Sequence, residues 1–182
     1  MISSLEISST ILNLASSKII VMNKKQKLII GITAEGSVNL LRGQLKYFKD
    51  RGYDTYLMSP DSLRVQEFCI KEGCTHLSIK IEREISLFKD IKTLFQIIQL
   101  FNNVKPEIIN FGTPKVSLLG MIAGYLTRVP FRIYTCRGFR FEHEKGLKRR
   151  ILVVMEKITS KLAHKVICIS PSLETWTRPT SQ

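Results

Sequence analysis

The sequence lacks the features of secreted, membrane-spanning and disulfide-bonded proteins. No run approaches the roughly 18 apolar residues that a spanning helix needs. The four cysteines form no C-x-x-C pair, and residues 1–21 lack a basic region and a small-residue cleavage pattern. These absences predict a protein of the reducing cytoplasm. Acidic residues are also scarce, at 15 against 28 Lys and Arg, and the net charge of +13 favours partners that carry phosphate or an anionic surface.

A length of 182 residues allows one domain with a substantial core but not two full α/β domains. Residues 1–26 have no turn or cap that ties them to the rest of the chain, so we predict a peripheral or disordered extension, with Met22 as the natural start. A short amphipathic helix from Leu5 to Leu14 is the alternative. Residues 27–173 are predicted to form the domain, and residues 174–182 an irregular tail.

From Leu28 onward, short apolar runs alternate with helical patterns. Gly52 and Gly73 end the first two helices, and Gly120 and Gly124 allow a later helix to pack closely against a neighbour. Strands separated by helices of about 10–15 residues indicate right-handed crossovers. The pattern predicts an α/β fold, a Rossmann-like doubly wound parallel sheet of about six strands with helices on both faces. The predicted strands are LIIGIT, YDTYLMSP, HLSIKI, EIINF, FRIYT and KVICIS.

Two long helices carry apolar residues at helical spacing, which predicts the faces that meet the sheet. The face of the helix before EIINF comprises Leu87, Ile91, Leu94, Phe95, Ile98 and Phe101. The face of the last helix comprises Leu147, Ile151, Val154, Met155, Ile158 and Leu162. The segment from Arg137 to Lys165, which includes this last helix, holds nine basic and three acidic residues.

Familiar phosphate and metal motifs do not fit. GITAEGSV has glycines spaced as in a P-loop, but Ser37 and Val38 stand where that motif requires Lys followed by Ser or Thr. No G-x-G-x-x-G follows the first strand. EHEKGL begins like the zinc motif H-E-x-x-H, but Leu147 occupies the position of the second histidine. The turn at Gly36 can still meet an anion through backbone N–H groups, or be structural only.

The ends of the predicted strands are the place to look for a site, because ligands of doubly wound sheets bind outside the carboxyl ends of the strands. Thr113 and Pro114 are predicted as the N-cap and first-turn proline of the helix after EIINF. Arg137 and Arg140 follow the fifth strand, which favours a site for an anionic small molecule or lipid head group. A basic nucleic-acid-binding module is the alternative, although no recognition motif supports it.

Four segments, in their order along the chain, resemble the N-terminal half of bacterial family-4-type retaining glycosyltransferases. They are YFKDRGYDTYLMSP, KPEIINFGTPKVSLLGMIAG, IYTCRGFRFE and MEKITSKLAHKVICISPSL. These are GT-B enzymes with two Rossmann domains that build capsular and other surface polysaccharides. The resemblance covers Lys27 to Leu173. It implies a cytoplasmic enzyme domain that docks an acceptor, often a lipid-diphosphate-linked sugar at the inner face of the membrane, while a second domain binds the nucleotide-sugar donor.

No motif in the sequence requires a metal, and the resemblance implies no permanently bound cofactor. The family's donor-binding E-x7-E pattern is missing from this chain, so we expect a truncated product that lacks the donor-binding domain and is largely inactive alone. Apolar surface near Phe139 and Phe141 would then be exposed. A sugar-nucleotide epimerase half and a basic module that binds nucleic acid or anionic membrane are the alternatives.

Site residues also follow from the resemblance. The first loop would border the donor diphosphate, and Ser170 matches a family serine. Relatives often have a histidine where this chain has Arg137, and an arginine can bind phosphate but cannot accept a proton. The predicted substrate-binding residues are Gly36, Ser37, Thr113, Arg137, Gly138, Arg140 and Ser170. The predicted basic face toward the acceptor or the membrane comprises Lys145, Lys148, Arg149 and Arg150.

Overall fold

The sheet has six parallel strands in the order β3-β2-β1-β4-β5-β6. The structure, a computed structural model, describes residues 4–16, 25–81, 86–139, 141, 144–171 and 173. The strands are β1 (Lys27–Gly31), β2 (Asp54–Ser59), β3 (Thr75–Ser78), β4 (Ile108–Phe111), β5 (Phe131–Cys136) and β6 (Lys165–Cys168). The predicted Rossmann-like doubly wound sheet is confirmed. The third strand is shorter than its prediction, which ran to Ile81.

The helices cover both faces of the sheet, as predicted. They are α1 (Ser4–Ser16), α2 (Gln44–Lys49), α3 (Leu63–Glu72), α4 (Leu87–Val104), α5 (Pro114–Leu126) and α6 (Gly146–Leu162), with a 3-10 helix at Glu35–Leu41. Alternate strand residues enter two separate buried clusters. Leu28 and Ile30 pack with α1, α2 and α3, whereas Ile29 and Ile109 pack with α4, α5 and α6.

Helix α1 corrects the expectation for the N-terminal segment. The predicted peripheral or disordered extension does not describe residues 4–16, which form a helix packed on the α2 side of the sheet. Ile7 and Ile11 are fully buried, because residues four apart share one helix face and that face meets the sheet cluster. The helix alternative fits these residues. The boundaries at 26 and 173 remain predictions, and residues 174–182 lie outside the described part of the chain.

The segment after β1 forms two short helices where the apolar spacing predicts one. The first helix, predicted to end at Gly52, is divided into the 3-10 helix and α2, with Gly43 between them. Gly43 adopts φ 73°, a left-handed conformation that interrupts a helix and that glycine tolerates best. Gly52 and Gly73 have φ values of 86° and 68°, and the predicted left-handed helix ending at Gly73 is confirmed.

Phe111, the last residue of β4, is held in a slot between two glycines. A Cβ at Gly31 of β1 or at Gly120 of α5 would overlap the Phe111 ring from opposite sides. The ring also stacks on Phe101, with centroids 6.4 Å apart. The predicted close packing at Gly120 therefore serves Phe111, which immediately precedes the loop at the carboxyl end of β4.

The predicted inner face of α6 is only partly right, since Met155 and Leu162 alone of its six residues pack against the core cluster. Leu147, Ile151, Val154 and Ile158 are exposed, whereas the fully covered side chains are Leu152, Glu156 and Thr159. A polar side chain faces the sheet because the hydroxyl of Tyr134 on β5 donates a hydrogen bond of 2.6 Å to Oε2 of Glu156. In α4, Leu94, Ile98 and Phe101 of the predicted face pack on the core. Ile91 and Phe95 of that face are exposed, and Ile97 is buried in addition.

The predicted exposure near Phe139 and Phe141 is also wrong. Both side chains are buried, and their rings stack with centroids 4.8 Å apart. They belong to the same cluster as Leu152 of α6 and Leu173. The chain itself therefore covers the apolar residues that come after β5.

Glu156 gives the stability of the fold a pH dependence. Burial raises the pKa of the Glu156 carboxyl, and the hydrogen bond from Tyr134 opposes that shift. Its folded-state pKa is thus above the value of about 4.3 for an unfolded glutamate. The stabilising contribution of the protonated form is present below the unfolded pKa and is lost as pH rises through the folded pKa.

We expect the substitution Glu156→Gln to remove this pH dependence while retaining an oxygen for the Tyr134 hydroxyl. Urea unfolding from about pH 4 to about pH 7 should show that the wild-type free energy of unfolding falls relative to that of the variant. Glu67→Gln, at an exposed position on α3, is the matched control and should follow the wild type. Parallel curves for wild type and Glu156→Gln would contradict the assignment.

Candidate functional site

A cleft lies at the carboxyl ends of β1, β4 and β5. Strands β1 and β4 are neighbours, but the chain leaves β1 toward α2 and leaves β4 toward α5, on opposite faces of the sheet. This is the point where a doubly wound sheet opens to a ligand. The enclosed part of the cleft is only about 10 Å³, room for about one water molecule, and the surrounding space of about 260 Å³ includes open solvent. Its lining comprises Ile30, Gly31, Ile32, Leu40, Leu41, Asn110, Gly112, Thr113, Thr135 and Arg137.

Two threonines join the loops at the ends of β1 and β4. The backbone N–H of Thr33 donates to Oγ1 of Thr113 at 3.1 Å, and the two hydroxyl oxygens lie 2.6 Å apart. The predicted role of Thr113 as a helix cap is only partly right. It occupies the cap position of α5 with extended backbone, but its side chain makes no capping hydrogen bond because it bonds Thr33 instead. The predicted site residue thus ties two strand ends together.

A second polar pair lies beneath the cleft. The hydroxyl of Thr135 donates to Oδ1 of Asn110 at 2.8 Å, linking β4 to β5. Both side chains are buried. The sequence-based prediction missed Thr33, Asn110 and Thr135. Their position within or just after apolar strand runs could have identified them. A polar side chain buried there needs a hydrogen-bond partner, so it indicates a polar contact between neighbouring strands.

Arg137 is the only cationic side chain of the described residues that lines the cleft. It crosses the backbone of Gly112 so closely that a Cβ there would lie 3.0 Å from Nε. Burial lowers the pKa of its guanidinium, and within the described residues no acidic side chain pairs with it. A half-buried, unpaired guanidinium is well suited to a phosphate or carboxylate, which it can bind through two parallel hydrogen bonds.

The other predicted residues are spread along the same edge of the sheet. Gly36 and Ser37 lie in the 3-10 helix after β1 and do not line the cleft. Gly138 follows Arg137 at φ 144° and is exposed. Ser170 lies after β6, beyond β5 from the cleft. Arg140 lies outside the described residues.

The predicted basic face lies at the beginning of α6. Lys145, Lys148, Arg149 and Arg150 are all exposed. They are not equivalent, because Nζ of Lys148 lies 2.7 Å from a carboxylate oxygen of Glu144, and the Arg149 guanidinium lies over the Phe141 ring. Among the described residues, Lys145 and Arg150 therefore carry the least compensated charge of this face.

Neither a metal centre nor a membrane span is found within the described residues. No group of three or more His, Cys, Asp or Glu side chains there could hold a metal ion. None of the described helices is long and apolar enough to cross a bilayer.

Comparison with known proteins places these features in a family. The chain is 40% identical over 151 residues to the capsular polysaccharide biosynthesis glycosyltransferase CapM of Staphylococcus aureus, covering 83% of this chain and 39% of that protein. It is 33% identical over 88 residues to the UDP-Gal:alpha-D-GlcNAc-diphosphoundecaprenol alpha-1,3-galactosyltransferase of Escherichia coli, covering 48% of this chain and 23% of that protein. The chain thus spans two fifths or less of the length of these relatives.

Solved structures share the fold at lower sequence identity. A UDP-N-acetylglucosamine 2-epimerase superposes with a TM-score of 0.67 at 14% identity, covering 85% of this chain and 44% of the epimerase. At this identity the similarity concerns the fold alone. The family model for glycosyl transferase 4-like proteins, by contrast, matches residues 29–170, which include the cleft and all but the first residues of the sheet. The chain therefore belongs to the glycosyl transferase 4-like family.

Proposed function

We propose that this chain is the acceptor-side part of a glycosyltransferase that moves a sugar from a nucleotide-sugar to a lipid-diphosphate-linked glycan in surface polysaccharide synthesis. The observation that carries the proposal is Arg137, a half-buried guanidinium in the cleft where β1 and β4 diverge, which no acidic side chain of the described residues pairs with. Both substrates of such a reaction contain a diphosphate. The name of the E. coli relative gives UDP-Gal as donor and a diphosphoundecaprenol-linked sugar as acceptor.

The reaction requires a fixed positive charge beside the departing phosphate. When a sugar leaves a nucleotide-sugar, the bond between the anomeric carbon and a diphosphate oxygen breaks, and negative charge grows on the departing phosphate. A guanidinium with few waters around it stabilises that charge more strongly than one in bulk solvent. Arg137 can act in this way or can hold the acceptor diphosphate, but it cannot act as a general base. The hydroxyls of Thr33 and Thr113 add neutral hydrogen-bonding groups beside it.

The location that suits this reaction is the cytoplasmic face of the cell membrane, where the chain would be held peripherally. Its basic face, formed by Lys145, Lys148, Arg149 and Arg150, would lie against anionic head groups. Each exposed cation near such a surface contributes about 1 kcal/mol of attraction. No nucleic acid is expected as a partner, although the net charge alone would permit it.

The rival functions have less support. A sugar-nucleotide epimerase shares the fold at 14% identity, whereas both curated relatives at 33% and 40% identity are named as glycosyltransferases. A nucleic-acid module would have to use exposed cations without any recognition motif. Binding of duplex or single-stranded DNA that falls steeply with salt, measured by electrophoretic mobility shift, would favour that rival.

Isothermal titration of the chain with two kinds of ligand tests the proposal. A short-chain prenyl-diphosphate-linked N-acetylglucosamine represents the acceptor, and UDP-galactose and UDP-glucose represent donors. We expect measurable binding of the acceptor analogue and only weak binding of the UDP-sugars. Tight binding of a UDP-sugar together with no binding of the acceptor analogue would contradict the acceptor-side assignment.

A further inference from the structure

Helix α6 carries an apolar stripe that the protein leaves uncovered. Leu147, Ile151, Val154 and Ile158 are exposed to 73%, 42%, 54% and 40%. Their spacing of four, three and four residues places them on one line along the helix. The opposite side of α6, through Leu152 and Glu156, packs on the sheet. The stripe therefore points away from the protein along nearly the whole helix.

A row of cations lies beside this stripe. On a helix each residue advances by about 100°, so Arg150, Lys157 and Lys161 fall within about 40° of one another, on one flank of the apolar line. All three are exposed, and within the described part of the chain no acidic side chain pairs with them. The only acid in the helix, Glu156, is buried on the other side against Tyr134. The outward face of α6 is thus apolar along its centre and cationic along one edge.

Charge distinguishes between possible occupants of this face. A second copy of the chain would bring the same cations together, which repels. A nucleic acid would satisfy the cations but would leave the apolar line in water. An anionic lipid surface satisfies both, because the apolar side chains enter the boundary of the acyl region while the cations meet head groups.

We propose that the outward face of α6 lies in the surface of an anionic bilayer and inserts Leu147, Ile151, Val154 and Ile158 into it. This inference rests on the membrane location proposed above and names the surface that makes the contact. It also gives the cations of the basic face different roles: Arg150 belongs to the inserted face, whereas Lys148 is engaged by Glu144. Helix α4 also exposes Phe88, Ile91 and Phe95, with Lys92 beside them, but Gln96, Gln99 and Asn102 make the outward side of its C-terminal half polar.

Co-sedimentation of the chain with vesicles tests the proposal. Vesicles of phosphatidylglycerol and phosphatidylcholine in equal parts are compared with vesicles of phosphatidylcholine alone. We expect the wild type to prefer the anionic vesicles, and Ile151→Ser/Val154→Ser to weaken that binding roughly tenfold. Arg150→Gln/Lys157→Gln/Lys161→Gln should weaken it roughly a hundredfold at low salt. Leu63→Ser/Ile70→Ser, at exposed apolar positions on α3 across the sheet, should bind like the wild type.

The outcomes separate the alternatives. All substituted positions are exposed, so circular dichroism melting should leave each variant folded with an unchanged midpoint. Unchanged vesicle binding by both α6 variants would overturn the proposal, as would a loss confined to Phe88→Ser/Phe95→Ser on α4. Conversion of a dimer to a monomer by Ile151→Ser/Val154→Ser, seen by light scattering without a change in vesicle binding, would assign the stripe to a second copy. If the wild type binds neither vesicle, the membrane contact fails while the titration with sugar ligands still tests transfer.

Discussion

Replacing Arg137 by glutamine is expected to weaken binding of the prenyl-diphosphate-linked sugar by about ten- to a hundredfold, the range for a hydrogen bond to a charged group. Glutamine keeps a hydrogen-bonding group but removes the charge and the fork of N–H donors. The loss should be large because the guanidinium is half-buried and, within the described residues, has no competing carboxylate. Titration calorimetry of the two proteins measures the effect.

Two further substitutions separate charge from geometry. Arg137→Lys keeps the charge without the fork and should recover only part of the affinity. Arg51→Gln is the matched control, because Arg51 stacks on Tyr47 at the opposite end of the sheet. It should bind the ligand like the wild type. Equal affinity of the wild type and Arg137→Gln would show that Arg137 does not hold the acceptor diphosphate.

Replacing Gly120 by valine is expected to lower the free energy of unfolding by about 3 kcal/mol, at the upper end of the cost of overpacking a core. The new Cβ would overlap the Phe111 ring, and the ring cannot retreat because the backbone of Gly31 lies on its other side. Phe111 is fully buried and stacks on Phe101, so no solvent-filled space can receive it. Urea or thermal unfolding measures the effect.

Gly36→Val provides the control for this substitution. A Cβ at Gly36 meets nothing within 4 Å, and its backbone does not have a positive φ. Its free energy of unfolding should stay within about 0.5 kcal/mol of the wild type, as is usual for surface positions. Comparable stability of the Gly120 and Gly36 variants would show that Phe111 is not confined in the way the structure describes.

The order of the elements could be predicted because buried parallel strands are short continuous apolar runs and because Gly52 and Gly73 follow the first two helices between them. The face of α6 could not be predicted. Its apolar spacing identified the stripe correctly, but a sequence does not say which side of a helix meets the sheet. The side of α6 that meets the sheet carries Glu156, whose carboxyl group accepts a hydrogen bond from Tyr134 on β5. These two residues are 22 positions apart in the sequence.

The site was predictable only in part. Arg137 was predicted as a site residue because it comes directly after a strand, where doubly wound sheets bind ligands, and the structure places it in the lining of the cleft. Gly36 and Ser37 were placed beside the donor by resemblance, yet they do not line the cleft that the described residues form. Thr33 and Thr113 lie 80 positions apart, and their contact arises only when β1 and β4 become neighbours. Local sequence carries no sign of such a pair.

A chimeric enzyme tests the central claim most directly. The 151-residue region of the S. aureus capsular relative that matches this chain would be replaced by the corresponding residues of this chain. The chimera would then be expressed in S. aureus cells that lack the relative, and capsular polysaccharide would be measured. We predict that capsule is restored by the chimera and lost again when it carries Arg137→Gln. A chimera that accumulates as a folded protein and yields no capsule would contradict the claim that this chain is the acceptor-side part of a glycosyltransferase.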